Sequence, residues 1–463
     1  MCKDLELRVP AIWGCELYGP GEINELYAGL QSMGWGLPYK VDDKDGIEDW
    51  IRQNRAYGHQ GAWLNGGHVI GQREQNRQIL NSNRASLPRG VSSLDVEVFQ
   101  LTPSLTGVLV KFRFDEKAAQ IYENEINRER TTCRKRAPRS WSISIIGPRN
   151  QKHDGVARVR SDLRRMVAGW YKKHLPGYFS TNNREAAFPI MELLTVKQGP
   201  ILHQPPNALP GTVLDWRWFL NNEPPQLVWT SQENEAIQLV MGNYRENEQG
   251  RFITVAIDSS KFDNESMEMY GGKSTDSIIY ACGGALRYIL PHTSTMEYLK
   301  EQTRYLNINR EQLKKARSGR ANLSRTLFAI RRFFDQTLGV PALARELVAK
   351  SKASDWYHHD IGFTAPGWGS EARRQLSDDI QSSTHVMALR LAEDEFSMRG
   401  YFEQLSSILN IHENIKLQHR MQVLTFLALV VAVLSLLVAI AAPNTISQLL
   451  KSIWHQLGPF VPV

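Results

Sequence analysis

Val423 to Ala442 reads VLTFLALVVAVLSLLVAIAA. These twenty residues contain no charge, no glycine and no proline. At about 1.5 Å per residue they reach roughly 30 Å, the thickness of a bilayer's hydrocarbon core. A core helix of a soluble domain keeps a polar face, whereas five turns that are apolar on every side ask for lipid. The chain therefore reads as an integral membrane protein held by one helix near its C-terminus.

The flanks give an orientation. Lys416 and Arg420 precede the span, and only Lys451 follows it closely. That bias places the N-terminal side in the cytoplasm. The first eight residues carry Lys3, Asp4, Glu6 and Arg8 and no apolar run of signal-peptide length. The expectation is a single-pass protein of the cell inner membrane with a cytoplasmic N-terminus. After Pro443 and Asn444, the residues Ile446, Leu449, Leu450, Ile453, Trp454 and Leu457 recur at helical spacing, with Gln448, Lys451, Ser452, His455 and Gln456 opposite. This predicts an amphipathic helix lying on the far membrane surface rather than a second span, because Lys451 and His455 would otherwise sit near mid-bilayer.

Upstream, no proline falls between Pro366 and Pro443, and within that interval Gly400 is the only glycine after Gly369. Ser370 can cap a helix starting at Glu371. Unbroken to Ala442, it would have about 72 residues and a length on the order of 108 Å, stable only when packed against other helices. One stripe along it is unusual. Thr425, Ala428, Ala432, Ser435, Ala439 and Ala442 follow 3,4 spacing and are all small. Gln404, Ser407, Ile411, Asn414, Gln418 and Met421 continue the stripe upstream. Small residues at this spacing serve close helix packing in an oligomer, and a polar-and-small line broken by Ile411 and Met421 equally suits a narrow pore with hydrophobic constrictions. Both readings stay open on the stripe alone.

Arg420-Met421-Gln422-Val423-Leu424-Thr425 resembles the R-M-x-x-L-T start of the first membrane helix in CorA-type magnesium transporters. That family carries Gly-Met-Asn at the outer end of the same helix. At the corresponding spacing this chain has Ala442-Pro443-Asn444, which keeps the asparagine alone. The resemblance covers about 25 residues together with the outline of an α/β domain followed by a long stalk helix. It implies a homopentamer with this helix around its axis. Asn414, Gln418, Met421, Thr425, Ala428, Ala432, Ser435, Ala439 and Asn444 would then line or adjoin the pore.

The whole 463-residue chain has 42% hydrophobic and 22% charged residues, enough apolar material for two or three cored domains and ordinary charge for a folded protein. The four cysteines, Cys2, Cys15, Cys133 and Cys282, form no CxxC pair, which argues against a zinc site or a disulfide framework. Up to about residue 290, strand patterns at Leu94–Leu101, Gly107–Phe114, Ser140–Ile146, Gln226–Thr230, Ile237–Val240, Phe252–Ile257 and Ser277–Cys282 alternate with helical ones at Ile23–Met33, Asp115–Glu129 and Val156–Leu175. From Ser294 the pattern is helical, broken at Gly339-Val340-Pro341. The expected fold is an α+β cytoplasmic domain (1–290), a long-helix stalk (291–420), one transmembrane helix (421–442) and an amphipathic tail (443–463).

Candidate chemistry is sparse. His358-His359-Asp360 reads as a polar loop, Gly66-Gly67-His68-Val69-Ile70-Gly71 as a turn without phosphate-loop spacing, and Asp42-Asp43-Lys44-Asp45-Gly46 as a solvated loop. No nucleophile–base pair or two-carboxylate site is visible, so an enzyme is not expected; no metal site is expected, and the sequence names no cofactor. Net charge is +7, compatible with an anionic partner and with none. Arg128, Arg130, Arg134, Lys135, Arg136 and Arg139 crowd one segment, and Arg158, Arg160, Arg164, Arg165, Lys172 and Lys173 crowd the next helix. Of these, Arg134, Lys135, Arg136, Arg164 and Arg165 are the candidate anion-binding set; a solvated basic face is the alternative. Expected partners are the bilayer, further copies of this chain and an anionic ligand. Two functions fit: an oligomeric membrane channel or transporter-like protein gated by its cytoplasmic domain, or a single-span anchored sensor or effector that binds an anionic signal.

Overall fold

Arg8–Tyr18 (β1) reads RVPAIWGCELY and is buried at every position except Arg8. A strand buried on both faces lies inside a sheet covered on both sides, and the remaining elements supply that cover. The computed structural model describes residues 6–35, 46–58, 61–72, 83–136, 143–181, 188–197, 202, 220, 227–241, 252–262, 267–317, 323–336, 339–352, 361–366, 373–441 and 443–456. After β1 come α1 (Ile23–Met33), α2 (Ile47–Ala56), β2 (Ala62–Gly71), β3 (Asn83–Ala85), β4 (Val91–Thr102), β5 (Leu105–Phe114), α3 (Glu116–Ala119) and α4 (Ile121–Asn127). Next are β6 (Cys133–Arg136), β7 (Ile143–Ile146), α5 (Pro148–His174), α6 (Tyr178–Thr181), β8 (Ile190–Val196), β9 (Val228–Ser231), β10 (Ile237–Met241) and β11 (Phe252–Asp258). The C-terminal part is α7 (Thr275–Leu286), α8 (Ile289–Arg317), α9 (Leu323–Gln336), α10 (Val340–Ser351), β12 (Phe363–Ala365), β13 (Arg374–Gln375), α11 (Leu376–Ala441) and α12 (Pro443–Gln456).

Among the described residues, eleven strands form one mixed sheet in the order β13-β12-β9-β10-β11-β8-β1-β5-β4-β2-β3. The β8–β11 and β2–β3 pairs are parallel and the others antiparallel. The register puts Trp13, Lys111, Asp95 and His68 side by side across four strands on one face. Ile12, Phe112 and Leu94 lie on the other, in line with Glu192 and Thr254. α5 covers that second face, with Trp170 edge-on to Phe112 at 5.5 Å between ring centroids. It starts from an extended Gly147 with proline in its first turn, and ends in Lys172, Lys173 and His174, which suit the negative end of the helix dipole. Gly14 lets it lie close against β1, since a methyl group there would collide with Val167. α7 covers the first face, with Gly283 beside Lys111 Nζ.

The molecule is thus α+β with a large mixed sheet and one strongly apolar helix near its C-terminus. It divides into two compact units, 1–309 with 332–395, and 310–331 with 396–463. The first holds the sheet and its covering helices. The second holds the ends of α8 and α11, part of α9, and α12.

Several expectations need correction. Ser277–Cys282 is helical, within α7: its Ile-Ile-Tyr run looks strand-like, but Ser274 caps the helix by accepting from Ser277 N, and the turn chemistry wins. Gly66–Gly71 is not a turn but the end of β2, where Gly67 at φ 95° takes up an irregularity in the pairing with β4. The long helix begins at Leu376 rather than Glu371, because Arg374 and Gln375 pair with β12 instead. The segment 291–420, expected to be a helical stalk interrupted by loops, therefore also adds β12 and β13 to the sheet. The Asp115–Glu129 helix is two short helices, the first capped by Asp115. The 42–45 and 358–360 loops and Ser370 lie outside the described residues.

Candidate functional site

α11 carries the stripe. At 100° per residue, Asn414, Gln418, Met421, Thr425, Ala428, Ala432, Ser435 and Ala439 fall within a sector of about 100° on one helix. All of them are exposed, and so are Leu424, Phe426, Leu427, Leu429, Val431 and Leu437 on the other sides; Leu436 falls inside the sector. Among the described residues, Asn414–Ala439 is the one helical stretch long and apolar enough to cross a membrane, and none of it is buried. The two hydroxyls on the stripe are satisfied within the helix: Thr425 Oγ1 donates to Met421 O and Ser435 Oγ to Val431 O, each at 2.8 Å. Such back-bonding lets a hydroxyl sit in lipid or against another helix with no outside partner. Asn444 is not on this helix. It belongs to the first turn of α12, whose Trp454 is 85% exposed.

The five basic candidates are not brought onto one surface. Arg134 is exposed on β6, with Lys135 and Arg136 next along the strand. Arg164 is buried under α5, its guanidinium 4.4 Å from the centre of the Phe252 ring. Arg165, one residue on and so about 100° around the helix, is exposed and paired with Asp162.

Two polar clusters escape a reading of the sequence. In the first, Arg160 of α5 pairs with Glu192 of β8. Tyr122 OH donates to Glu192 Oε2 at 2.5 Å, and Thr254 Oγ1 donates to Glu192 Oε1 at 2.8 Å. In the second, Asp95 accepts from Arg113 Nε at 2.9 Å, pairs with Lys111 Nζ at 2.8 Å and lies 2.7 Å from His68 Nδ1. Burial would raise the Asp95 carboxyl, but the His68 hydrogen bond and the Lys111 and Arg113 charges outweigh it and hold the group well below the usual carboxylate range. Beside it, Arg287 pairs with Glu97 at 2.9 Å and stacks on Trp63 at 3.8 Å. A sequence signal exists for both: a carboxylate inside an apolar strand run, as in Ile190–Val196, is costly unless a partner meets it.

The chemistry these clusters can perform is limited. An Asp–His pair orients an imidazole, but catalysis by it needs a nucleophile or a bound water to activate. Burial pushes the nearby Cys282 thiol up to about 12, so it stays protonated and unreactive. Among the described residues, no three His, Cys, Asp or Glu side chains converge to hold a metal. The charges on the sheet neutralise one another, and the arrangement is that of a structural network.

No family model, no curated protein and no solved structure matches the chain.

Proposed function

We propose that this chain is an oligomeric membrane channel or transporter-like protein of CorA type, gated by its N-terminal α+β domain on the cytoplasmic side of a cell inner membrane. The observation that carries this reading is the exposed helix Asn414–Ala439, whose small residues Thr425, Ala428, Ala432, Ser435 and Ala439 share one sector. An apolar surface of that size is not left in water by a monomeric soluble protein. Lipid accounts for the Leu, Val and Phe sides, and a lipid-facing helix has no need of a sector of Asn, Gln, Thr, Ala and Ser. Copies of the same sector facing a common axis give that sector a role, as packing or as the wall of a pore. The Arg420–Thr425 hexapeptide supports CorA type, and the change from Gly-Met-Asn to Ala442-Pro443-Asn444 leaves magnesium without its family signature.

A second reading, a single-span anchored effector that binds an anionic signal, draws on the basic residues around Arg134. The two separate by mass and by flux. The full chain in mild detergent should run as an oligomer, and in liposomes it should pass cations. A monomer that passes no ion overturns the channel and leaves the tethered effector.

A further inference from the structure

The positive excess of the chain sits in one short stretch. From Arg128 to His153 there are eight lysines and arginines and a single carboxylate, Glu129. That is a net +7, equal to the net charge of the whole protein, so the remaining residues balance to zero.

Much of this stretch is built as a ribbon. β6 and β7 form a two-stranded antiparallel sheet apart from the main one, with Arg134 opposite Ile145 and Arg136 opposite Ile143. Positions opposite one another in such a pair share a face, so two arginine and two isoleucine positions fall on one side. Arg134 is exposed, and Ile145 is 69% exposed. The ribbon is fixed at its base: Gln151 Nε2, in the first turn of α5, reaches Thr131 O at 2.6 Å and Ile146 O at 3.0 Å. That first turn has no acidic residue but holds Arg149, and Lys152 follows at once, at the end of a helix where the dipole disfavours cations. An isolated two-stranded ribbon is marginal in water, and like charges along it weaken it further. Glu125 meets Arg128 and Arg130 at the start of the stretch; the ribbon's own strands carry Arg134, Lys135 and Arg136 with no carboxylate, and an external polyanion is what would balance them.

We propose that the β6–β7 ribbon docks on an anionic membrane surface, with Arg134 and its basic neighbours on lipid phosphates and Ile145 in the interface. The proposal rests on the reading that α11 spans a bilayer, which keeps a lipid surface tethered to the chain at high effective concentration. The exposed isoleucine favours lipid over nucleic acid. A phosphate backbone offers it nothing, whereas a membrane interface takes cation and alkyl group together.

The face to probe is that of Arg134, Arg136, Ile143 and Ile145; Cys133 pairs with Ile146 on the other one. Cys133 is exposed, whereas Cys15 and Cys282 are buried. With Cys2 and Cys133 replaced by serine, the full chain carrying Ile143→Cys, labelled there with a polarity-sensitive fluorophore, is placed in nanodiscs of phosphatidylcholine with or without phosphatidylserine. The expected result is a blue shift and several-fold weaker aqueous quenching in the phosphatidylserine discs alone. High salt, or Arg134→Glu with Arg136→Glu, should abolish both effects. Equal quenching in both discs, with the chain inserted, overturns this proposal alone. A chain that copurifies with neither disc overturns the bilayer-spanning reading and this one with it. A shift produced by a single-stranded oligonucleotide but not by phosphatidylserine makes the ribbon a nucleic-acid surface and also overturns the proposal.

Discussion

Arg160 and Glu192 form an ion pair across the layer between α5 and the sheet, with side-chain exposures of 8% and 0%. Burial of two charges is repaid only when every remaining group is met. Here Tyr122 and Thr254 complete the carboxylate, Leu220 O accepts from Arg160 Nη1 at 2.5 Å, and the Phe252 ring packs on the guanidinium. Arg160→Met alone should therefore cost about 3–5 kcal/mol, because it strands a buried carboxylate. The double variant Arg160→Met/Glu192→Met should recover much of that loss. Denaturant unfolding in detergent, followed by tryptophan fluorescence, measures both. A single variant as stable as wild type would show that the pair is not what fixes α5 to the sheet.

Glu16 gives a pH dependence of opposite sense to a surface carboxylate. It is fully buried in β1 and accepts from the backbone N–H groups of Leu17, Phe179 and Ser180 at 3.0, 2.7 and 2.8 Å. Burial raises its carboxyl to about 7 even though those donors pull it down. Between an unfolded value near 4.5 and a folded value near 7, the folded protein binds the extra proton. Stability from this group is thus full at pH 4.5 and below, and is lost as pH rises through 7, by about 3 kcal/mol in all. Thermal melts of wild type and Glu16→Gln should differ by a constant amount at the acid end, and wild type should lose ground to the variant as pH rises. Parallel curves across the whole range would show that folding leaves the proton affinity of the Glu16 carboxyl unchanged.

Much of this architecture is legible in the sequence, and what is not has physical causes. The α1 helix has its expected limits, and β5, β10 and β11 fall within one or two residues of theirs, because alternation and turn residues bound them closely. β1 and β8 are hidden: strands buried on both faces do not alternate, and their glutamates, Glu16 and Glu192, disguise an apolar run. Arg164 reads as a surface group because charge alone does not reveal that α5 turns one arginine towards Phe252 and the next towards water. The span and its stripe are plain from composition. What the stripe faces is not written in its periodicity, since the same 3,4 spacing of small residues serves close helix packing and a pore wall alike.

Topology is tested at the tail. α12 follows the apolar helix from Pro443, and it exposes Lys451 and Trp454. With the α+β domain inside, a single crossing puts Lys451 outside. Lys451→Cys in a background with Cys2 and Cys133 replaced by serine should react with an impermeant maleimide on intact cells. Labelling that appears only after lysis would place both ends on one side and replace the single crossing with a tail that folds back.

The stripe itself separates a pore from a packing seam. Thr425, Ala432 and Ser435 share one sector of α11, where polar Asn414 and Gln418 give way to small residues as the apolar stretch begins. A position facing a lumen has room, so added bulk narrows the passage without parting the helices. A position in a seam has none, and added methylenes force the helices apart at a cost of about 1–3 kcal/mol per site. Ser435→Leu should accordingly lower ion flux in liposomes while the oligomer keeps its mass, and Ala432→Asn, which adds a polar group in the same sector, should keep or raise flux. In a seam the leucine shifts the mass and neither variant touches conduction. Wild-type liposomes that pass no ion under any tested ligand would count against conduction, and a mass shift with Ser435→Leu would then assign the sector to packing.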